Sequence, residues 1–360
     1  MNATLGIDIG GTKTLAALVG PDGAVLDQAR ADTPAAQGPD AVLETAADLA
    51  RRLGGAGPVG VGAAGLIDPA TGVVRYATDS LPGWAGTPVA DALARRIGRP
   101  VVVDNDVNAA ALGESWAGAA RGHAHVLLVA VGTGLGGGLV RGGAVDHGAR
   151  GGAGETAHLP APDADGLTCG CGRTGHLEGV ASGTGLARAY RLRTGADVSG
   201  REVAARCAAG DPAAVEVLAT AGHALGRALA GLVALLDPQT VVVAGGAGRA
   251  LLPYARSAYA AERLPVHADV TLVPAALGDA AVAVGAARAA MTRRATCLPS
   301  GPRSSGPRSS GPRPSDPRSS DPRSAGPGRV DPGSAGPGPA EPGSRPRSVT
   351  FPHTTETEPQ

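Results

Sequence analysis

The sequence predicts an α/β protein with mixed sheets, built as two similar lobes. Three observations carry that prediction. Apolar strand segments alternate with stretches of helical spacing through most of the chain. Some strands break at a glycine-rich turn and resume as strands, which adds hairpins to the parallel units. One such hairpin, with its Gly-Thr turn, recurs after about 120 residues, at Gly10 and again at Gly132.

In order along the chain, Leu5-Gly-Ile-Asp-Ile reads as a buried strand, Gly10-Gly-Thr-Lys as a turn, and Thr14-Leu-Ala-Ala-Leu-Val as its returning strand. Pro21-Asp-Gly is a second turn. From Pro39 to Leu53, Val42, Ala46, Leu49 and Leu53 fall at helical spacing. Val59 to Ala63 is a short strand. Thr87 to Ile97 reads as a helix with Thr87 as N-cap and Pro88 at the first position. Val101-Val-Val is a strand that delivers Asp104-Asn-Asp-Val-Asn to its C-terminal end, and a helix from Val107 to Trp116 follows.

The second half opens with a strand from Val126 to Val131. Gly132-Thr-Gly-Leu-Gly-Gly-Gly reads as a turn, and Leu139-Val resumes the strand. A long helix runs from Asp211, its cap, through Pro212 to Leu236, with Leu218, Leu225, Leu229, Leu232 and Leu236 in one stripe. Val241-Val-Val is a strand ending in Gly245-Gly246, and a last helix begins at Gly278.

From Pro299 to Gln360 the chain repeats short Ser/Gly/Pro/Arg units with little to bury, and it reads as a disordered tail. About 298 of the 360 residues remain for folding, enough for two lobes with their own cores. Lys and Arg number 32, as do Asp and Glu, so no overall basic field points to nucleic acid. The tail, with eight arginines against six acids, is only weakly basic. No apolar run reaches the ~18 residues of a membrane span without Gly, Arg or Asp, and no signal peptide is visible. Four cysteines do not make a disulfide scaffold, so a reducing cytoplasm is the simplest location.

Three constellations carry chemistry. The first is the set of glycine turns. Asp8 lies two residues before a turn of free amides at Gly10, Gly11, Thr12 and Lys13. Such amides cradle phosphates, and the carboxylate can hold Mg²⁺ directly or through water. The pattern is neither a P-loop nor the dinucleotide fingerprint, because a strand follows Lys13. An ordinary hairpin turn is the alternative. With Gly132, Thr133 and Gly134, and Gly245-Gly246, three such turns can face one nucleotide in a cleft between lobes.

The second constellation is Asp104-Asn-Asp at a strand end, where ligands sit in open α/β sheets. Asp106 suits a general base for a hydroxyl, and Asn105 a hydrogen bond to its neighbour. The alternative is that Asp104 or Asp106 merely caps the next helix. The third runs from Gly154-Glu-Thr-Ala-His158 to Cys169-Gly-Cys171 and His176-Leu-Glu178. His158, Cys169, Cys171 and His176 make a two-nitrogen, two-sulfur set suited to closed, structural, tetrahedral zinc; a redox pair or free thiols are the alternatives. The loop so fixed presents Glu155 and Glu178, which with His158 suit the hydroxyls of a sugar ring, and His158 can serve zinc with one nitrogen and substrate with the other.

Ile7-Asp-Ile-Gly-Gly-Thr-Lys, Gly62-Ala-Ala-Gly-Leu-Ile-Asp, Leu81-Pro-Gly-Trp, Asn105-Asp-Val-Asn-Ala-Ala-Ala-Leu-Gly-Glu, Gly132-Thr-Gly-Leu-Gly-Gly-Gly, Gly154-Glu-x-x-His and Cys-x-Cys-Gly-x-x-Gly occur in order. Together they resemble the ROK family of sugar kinases over Leu5 to Ala290. The resemblance implies the two-lobed actin-like sugar-kinase (ribonuclease H-like) fold and an ATP-dependent kinase of glucokinase type. It implies Asp106 as catalytic base, with Asn105, Glu155, His158, Glu178 and Gly65 lining the hexose site. It puts ATP phosphates at Gly10–Lys13 and Gly132–Gly134, and adenosine near Gly245-Gly246. The first lobe would then comprise residues 1–118 and 279–298, the second 119–278 with the zinc loop, and the tail 299–360. Homodimers are common in that family.

Three departures stand out. His176 occupies the place of a third cysteine, Ala157 replaces a glycine, and Asp79-Ser80 precedes Leu-Pro-Gly-Trp where asparagine is common. Sugar choice is thereby left open among glucose, N-acetylmannosamine, N-acetylglucosamine and fructose. A catalytically silent sugar sensor is the reading from another class. DNA-binding regulators of this kind carry an N-terminal winged helix-turn-helix, for which a first strand at Leu5 leaves no room.

Overall fold

The computed structural model describes residues 3–77 and 81–293. The tail from 299, the stretch 294–298, Asp79-Ser80 and Cys297 lie outside the described residues.

The first sheet has the order β3-β2-β1-β4-β7, formed by β1 (Thr4–Ile9), β2 (Lys13–Val19), β3 (Val25–Asp32), β4 (Val59–Ala63) and β7 (Val101–Asn105). Helices α1 (Pro39–Leu53) and α2 (Val89–Ile97) cover it, and the short β5 (Leu66–Ile67) and β6 (Val74–Tyr76) form a separate ribbon. The second sheet has the order β10-β9-β8-β11-β12, from β8 (His125–Val131), β9 (Leu135–Arg141), β10 (Ala144–Val145), β11 (Thr240–Ala244) and β12 (Thr271–Pro274). In each sheet three antiparallel strands precede two parallel ones. The recurring hairpin is therefore the opening of a repeated sheet.

Between and around these lie α3 (Asp106–Ala117), α4 (Glu178–Ala181), α5 (Gly183–Thr194), α6 (Gly200–Ala208), α7 (Pro212–Leu236), α8 (Gly246–Glu262) and α9 (Ala281–Thr292). Strand β8 is buried on both faces. Leu127, Val129 and Val131 join the core with Leu218, Leu225 and Leu229 of α7, while Val126 and Leu128 join Ala110 and Ala111 of α3. Helix α7 starts as expected, with Asp211 accepting from the Ala213 and Ala214 amides and Pro212 at the first position. By length and mean hydropathy α7 is apolar enough to cross a membrane, although Glu216, Gly222, Gly226 and Arg227 interrupt its apolar run. Its leucine stripe instead packs into the second core, and 61% of the apolar window is buried.

Two other readings are corrected. Pro88 caps α2 without a side-chain hydrogen bond, and the helix starts at Val89 rather than Thr87. The turn after β8 ends at Gly134; Gly136, Gly137 and Gly138 are strand residues paired with Ala130, Val129 and Leu128. Strand propensity disfavours glycine, but here bare backbone lets α3 and the Gly154 loop lie against β9.

Helix α9 lies against β1 and β4 on one side and α3 on the other. The approach is backbone to backbone: a Cβ on Gly60 would fall 1.8 Å from the Ala286 carbonyl oxygen, and one on Gly285 would fall 1.7 Å from that of Ala109. At the end of α3, Glu114 is fully buried and accepts from the amides of Ala119, Ala276 and Leu277. One carboxylate thus ties both segments that pass between the sheets. Glu114→Gln turns an amide NH₂ toward these donors, and a loss of about 2–4 kcal/mol in urea unfolding is expected.

Candidate active site

The glycine turns and Asp104-Asn-Asp lie at the C-terminal ends of strands that make parallel pairs, as in other open α/β sheets, while the loop 154–178 follows the antiparallel β10. A cavity of about 410 Å³ is lined by Gly65, Asn105, Asp106, Glu155, His158 and Glu178, together with Gly132 and Gly134. A second, of about 700 Å³, is lined by Gly132, Thr133 and Gly246 together with Gly183, Thr184, Ser199 and Arg201. Gly132 belongs to both walls. The six residues expected around a sugar are thus brought together. Of the phosphate-turn residues, Asp8, Gly10, Gly11, Thr12 and Lys13 line neither cavity, and neither does Gly245, which packs its backbone against Val131.

The helix-capping alternative for the aspartates falls to Asn105. Its Oδ1 accepts from the Val107 and Asn108 amides at 2.9 and 3.0 Å, which satisfies the start of α3. Its Nδ2 donates to the Gly65 carbonyl and to Asp106 Oδ1, both at 2.9 Å. Asp106 Oδ1 also accepts from the Val107 amide, and no hydrogen bond from the described residues reaches Oδ2. Burial pushes the Asp106 carboxyl up to about 6, against the hydrogen bond from Val107 and with the charge of Glu155 adding to the rise. That value suits a base working near neutral pH. Asp8 is pushed up to about 8 by burial, then by the charges of Asp106 and Asp279. Three carboxylates therefore share one region of field, which a cation would relieve.

The ligand atoms of His158, Cys169, Cys171 and His176 lie within 4.8 Å of one another. His158 Nδ1 is 3.5 Å from Cys169 Sγ, and His176 Nδ1 is 3.3 Å from Cys171 Sγ. Tetrahedral zinc with ordinary bond lengths separates its ligands by about 3.3–3.8 Å. Without a cation, burial pushes the Cys169 thiol up to about 12, with its hydrogen bond to Glu178 adding to the rise. The donor set fits zinc, and a cation would offset the cost of ionising the buried Cys169 thiol. His158 turns its other nitrogen, Nε2, toward Glu155 Oε2 at 3.8 Å, so one ring reaches both the cluster and the cavity. Glu178 braces this loop: Oε1 accepts from the Gly170 amide and the Cys169 thiol, and Oε2 from the Leu135 amide. Burial raises its carboxyl, but these hydrogen bonds outweigh it and the net shift is downward.

The sequence reading missed Gly183, Thr184, Ser199 and Arg201. The amides of Gly183 and Thr184 donate to the carbonyls of Gly132 and Thr133, which joins α5 to the turn after β8. Ser182-Gly-Thr-Gly, with Ser182 capping α5, was the available signal: another small-residue turn opening a helix.

These features define a two-sheet α/β protein whose cleft holds a half-buried, hydrogen-bonded carboxylate beside a glycine-walled second cavity. The chain belongs to the ROK family, whose model matches residues 4–293. It is 40% identical over 192 residues to the Glucokinase of Halalkalibacterium halodurans, covering 51% of this chain and 58% of that protein. It is 37% identical over 225 residues to the N-acetylmannosamine kinase of Shigella boydii, covering 62% of this chain and 75% of that protein. Against the first of these, the chain spans less than two thirds of the relative's length. The crystal structure of a ROK family glucokinase from Streptomyces griseus, in complex with glucose and AMPPNP, superposes with a TM-score of 0.71 at 33% identity. That match covers 79% of this chain and 98% of the other. The fold is accordingly the two-lobed α/β fold of the ROK sugar kinases.

Proposed function

We propose that the protein is an ATP-dependent sugar kinase that phosphorylates a hexose at its 6-hydroxyl, glucose first among the candidates. The observation that carries this reading is the shared wall at Gly132. One cavity holds Asp106, Glu155 and His158, the other is walled by glycines and small polar residues, and they meet at one turn. The names of the two relatives and of the glucose and AMPPNP complex support it.

In this reading the sugar occupies the first cavity and ATP the second, with the γ-phosphate directed toward Gly132. Asp106 accepts the proton of the 6-hydroxyl as its oxygen attacks the γ-phosphorus in line, and ADP departs. Asn105 holds Asp106 through Oδ1 and so leaves Oδ2 for that proton. Glu155 and His158 accept from or donate to the remaining hydroxyls. Asp8 is the residue suited to the Mg²⁺ of Mg·ATP, which neutralises charge on the phosphate oxygens. His158, Cys169, Cys171 and His176 would hold zinc, which supplies loop rigidity and no chemistry to the phosphoryl group. The lobes divide at 118/119 and 278/279, the segments that Glu114 ties together.

The 37% identity to an N-acetylmannosamine kinase favours that amino sugar as the second reading. Both are tested by ATP consumption of the full chain with Mg²⁺ and, in parallel, glucose, mannose, fructose, N-acetylglucosamine and N-acetylmannosamine. Glucose-dependent turnover is the expected result. Turnover with none of them, in folded zinc-replete protein, overturns the kinase reading in favour of a sugar sensor.

A further inference from the structure

We propose that His147 is a positioning residue for this site, holding the loop that delivers Glu155 against the strand end that carries Asp106. The inference rests on the sugar-kinase reading for its catalytic part, and on geometry alone for its structural part.

His147 Nε2 lies 2.7 Å from Asp104 Oδ2, across 43 residues of chain. The Asp104 side chain is 4% exposed and that of His147 is 16% exposed. Asp104 is the penultimate residue of β7, two residues before Asp106. Its Oδ1 accepts from the Asn105 amide at 2.9 Å and from Asn108 Nδ2 at 3.3 Å. Arg293 Nη2 stands 3.5 Å from the same Oδ2 that His147 engages, and 3.3 Å from His147 Nε2. Asp104 is an acceptor and Arg293 only a donor, so the imidazole carries its proton on Nε2 and donates to the carboxylate.

On the other side, His147 follows β10 of the second sheet, and its carbonyl accepts from the Ala153 amide at 3.2 Å. Ala153 is two residues before Glu155. Arg75 Nη1 reaches the Arg150 carbonyl at 3.4 Å and pins the same loop from the first sheet's side. One continuous path then runs from Asp106 through Asn105, Asp104 and His147 to Ala153 and Glu155. Along that path the His147–Asp104 bond is the step from the first sheet to the loop after the second, with Arg293 beside it. A buried carboxylate with a fixed donor holds its geometry far better than an exposed ion pair, which is what a positioning contact requires. Displacement of a binding group by about 1 Å costs on the order of 100-fold in rate.

The test compares His147→Ala with His147→Gln in the full chain; the glutamine amide reaches about as far as Nε2 and keeps the donor. With the sugar the wild type turns over, His147→Ala should lower kcat roughly 10- to 100-fold and raise the KM for sugar, with the KM for ATP unchanged. His147→Gln should restore most of the loss. Unchanged kcat and sugar KM in His147→Ala, an ATP KM that rises in step, or a glutamine variant no better than alanine overturns the proposal. Amide hydrogen exchange over residues 146–155, measured without substrate, should rise in His147→Ala and stay at the wild-type level in His147→Gln. Equal exchange in wild type and His147→Ala also overturns it. A wild type that turns over no sugar overturns the kinase reading instead, and the exchange measurement still decides whether His147 holds the loop.

Discussion

Asp106→Asn is expected to lower kcat by roughly 10²- to 10⁴-fold while sugar binding survives, which is the general range for a positioned acid–base group. The substitution is nearly isosteric. It keeps the Oδ1 acceptor used by Asn105 Nδ2 and the Val107 amide, so the start of α3 should stay in place. What it removes is the capacity to take the hydroxyl proton. Isothermal titration with sugar should therefore give near wild-type affinity from a protein that no longer turns over. A variant retaining more than about a tenth of the wild-type rate would sink the assignment of Asp106 as base. The pH profile supplies an independent check. The base must be ionised, and burial holds its carboxyl near about 6. The wild-type kcat/KM should accordingly be flat above that value and fall about tenfold per pH unit below it. The direction matters: a rate that rose on acidification would require a protonated group in that role.

Removing zinc should have the second large effect. Purified full-length protein is expected to contain one zinc per chain, and Cys171→Ser should lose it. Structural zinc sites in small peptides are worth about 10–16 kcal/mol of apparent binding free energy, and here that energy orders a loop and not a whole domain. The expected consequences are a lowered Tm and loss of sugar turnover. The loop between Gly154 and Glu178 carries Glu155 and His158, and Glu178 braces the turn at Leu135. His176→Cys should retain the metal, because a thiolate meets the same tetrahedral demand. Metal analysis and thermal unfolding with and without a strong chelator check all three points. Native protein free of zinc, with Cys171→Ser as stable as wild type, would refute the site.

Much of this arrangement was legible in the chain. Asp211-Pro212 marks the start of α7 because a cap and a fixed φ act locally. The hairpins at Gly10 and Gly132 were legible because glycine turns between apolar runs are local signals too. Asn105, Asp106, Glu155, His158 and Glu178 could be gathered from their chemistry and Gly65 from the family resemblance, and all six line one cavity. What could not be read was set by partners distant in sequence. Gly136 to Gly138 look like turn residues until α3 is known to lie against them. That Asn105, a cavity residue, also caps α3 had no signal, because its place one step ahead of the helix depends on where β7 stops. Helix α8 went unnoticed, since Pro253 within it reads as a breaker. The bond between His147 and Asp104 has no local signature at all, because 43 residues separate its ends.

The close seating of α9 has a consequence for the unfolded chain. Only two tryptophans, four tyrosines and one phenylalanine are present, so cores cannot be filled with large rings. Where α9 passes β4 and α3, density comes instead from backbone contact at Gly60 and Gly285. Each glycine loses about 0.5–1 kcal/mol more conformational freedom on folding than alanine would. The native state therefore draws part of its specificity from positions that make the denatured ensemble broader. At these two points stability cannot be raised by the usual replacement of glycine with alanine, since the entropy gained would be lost to collision with a carbonyl oxygen.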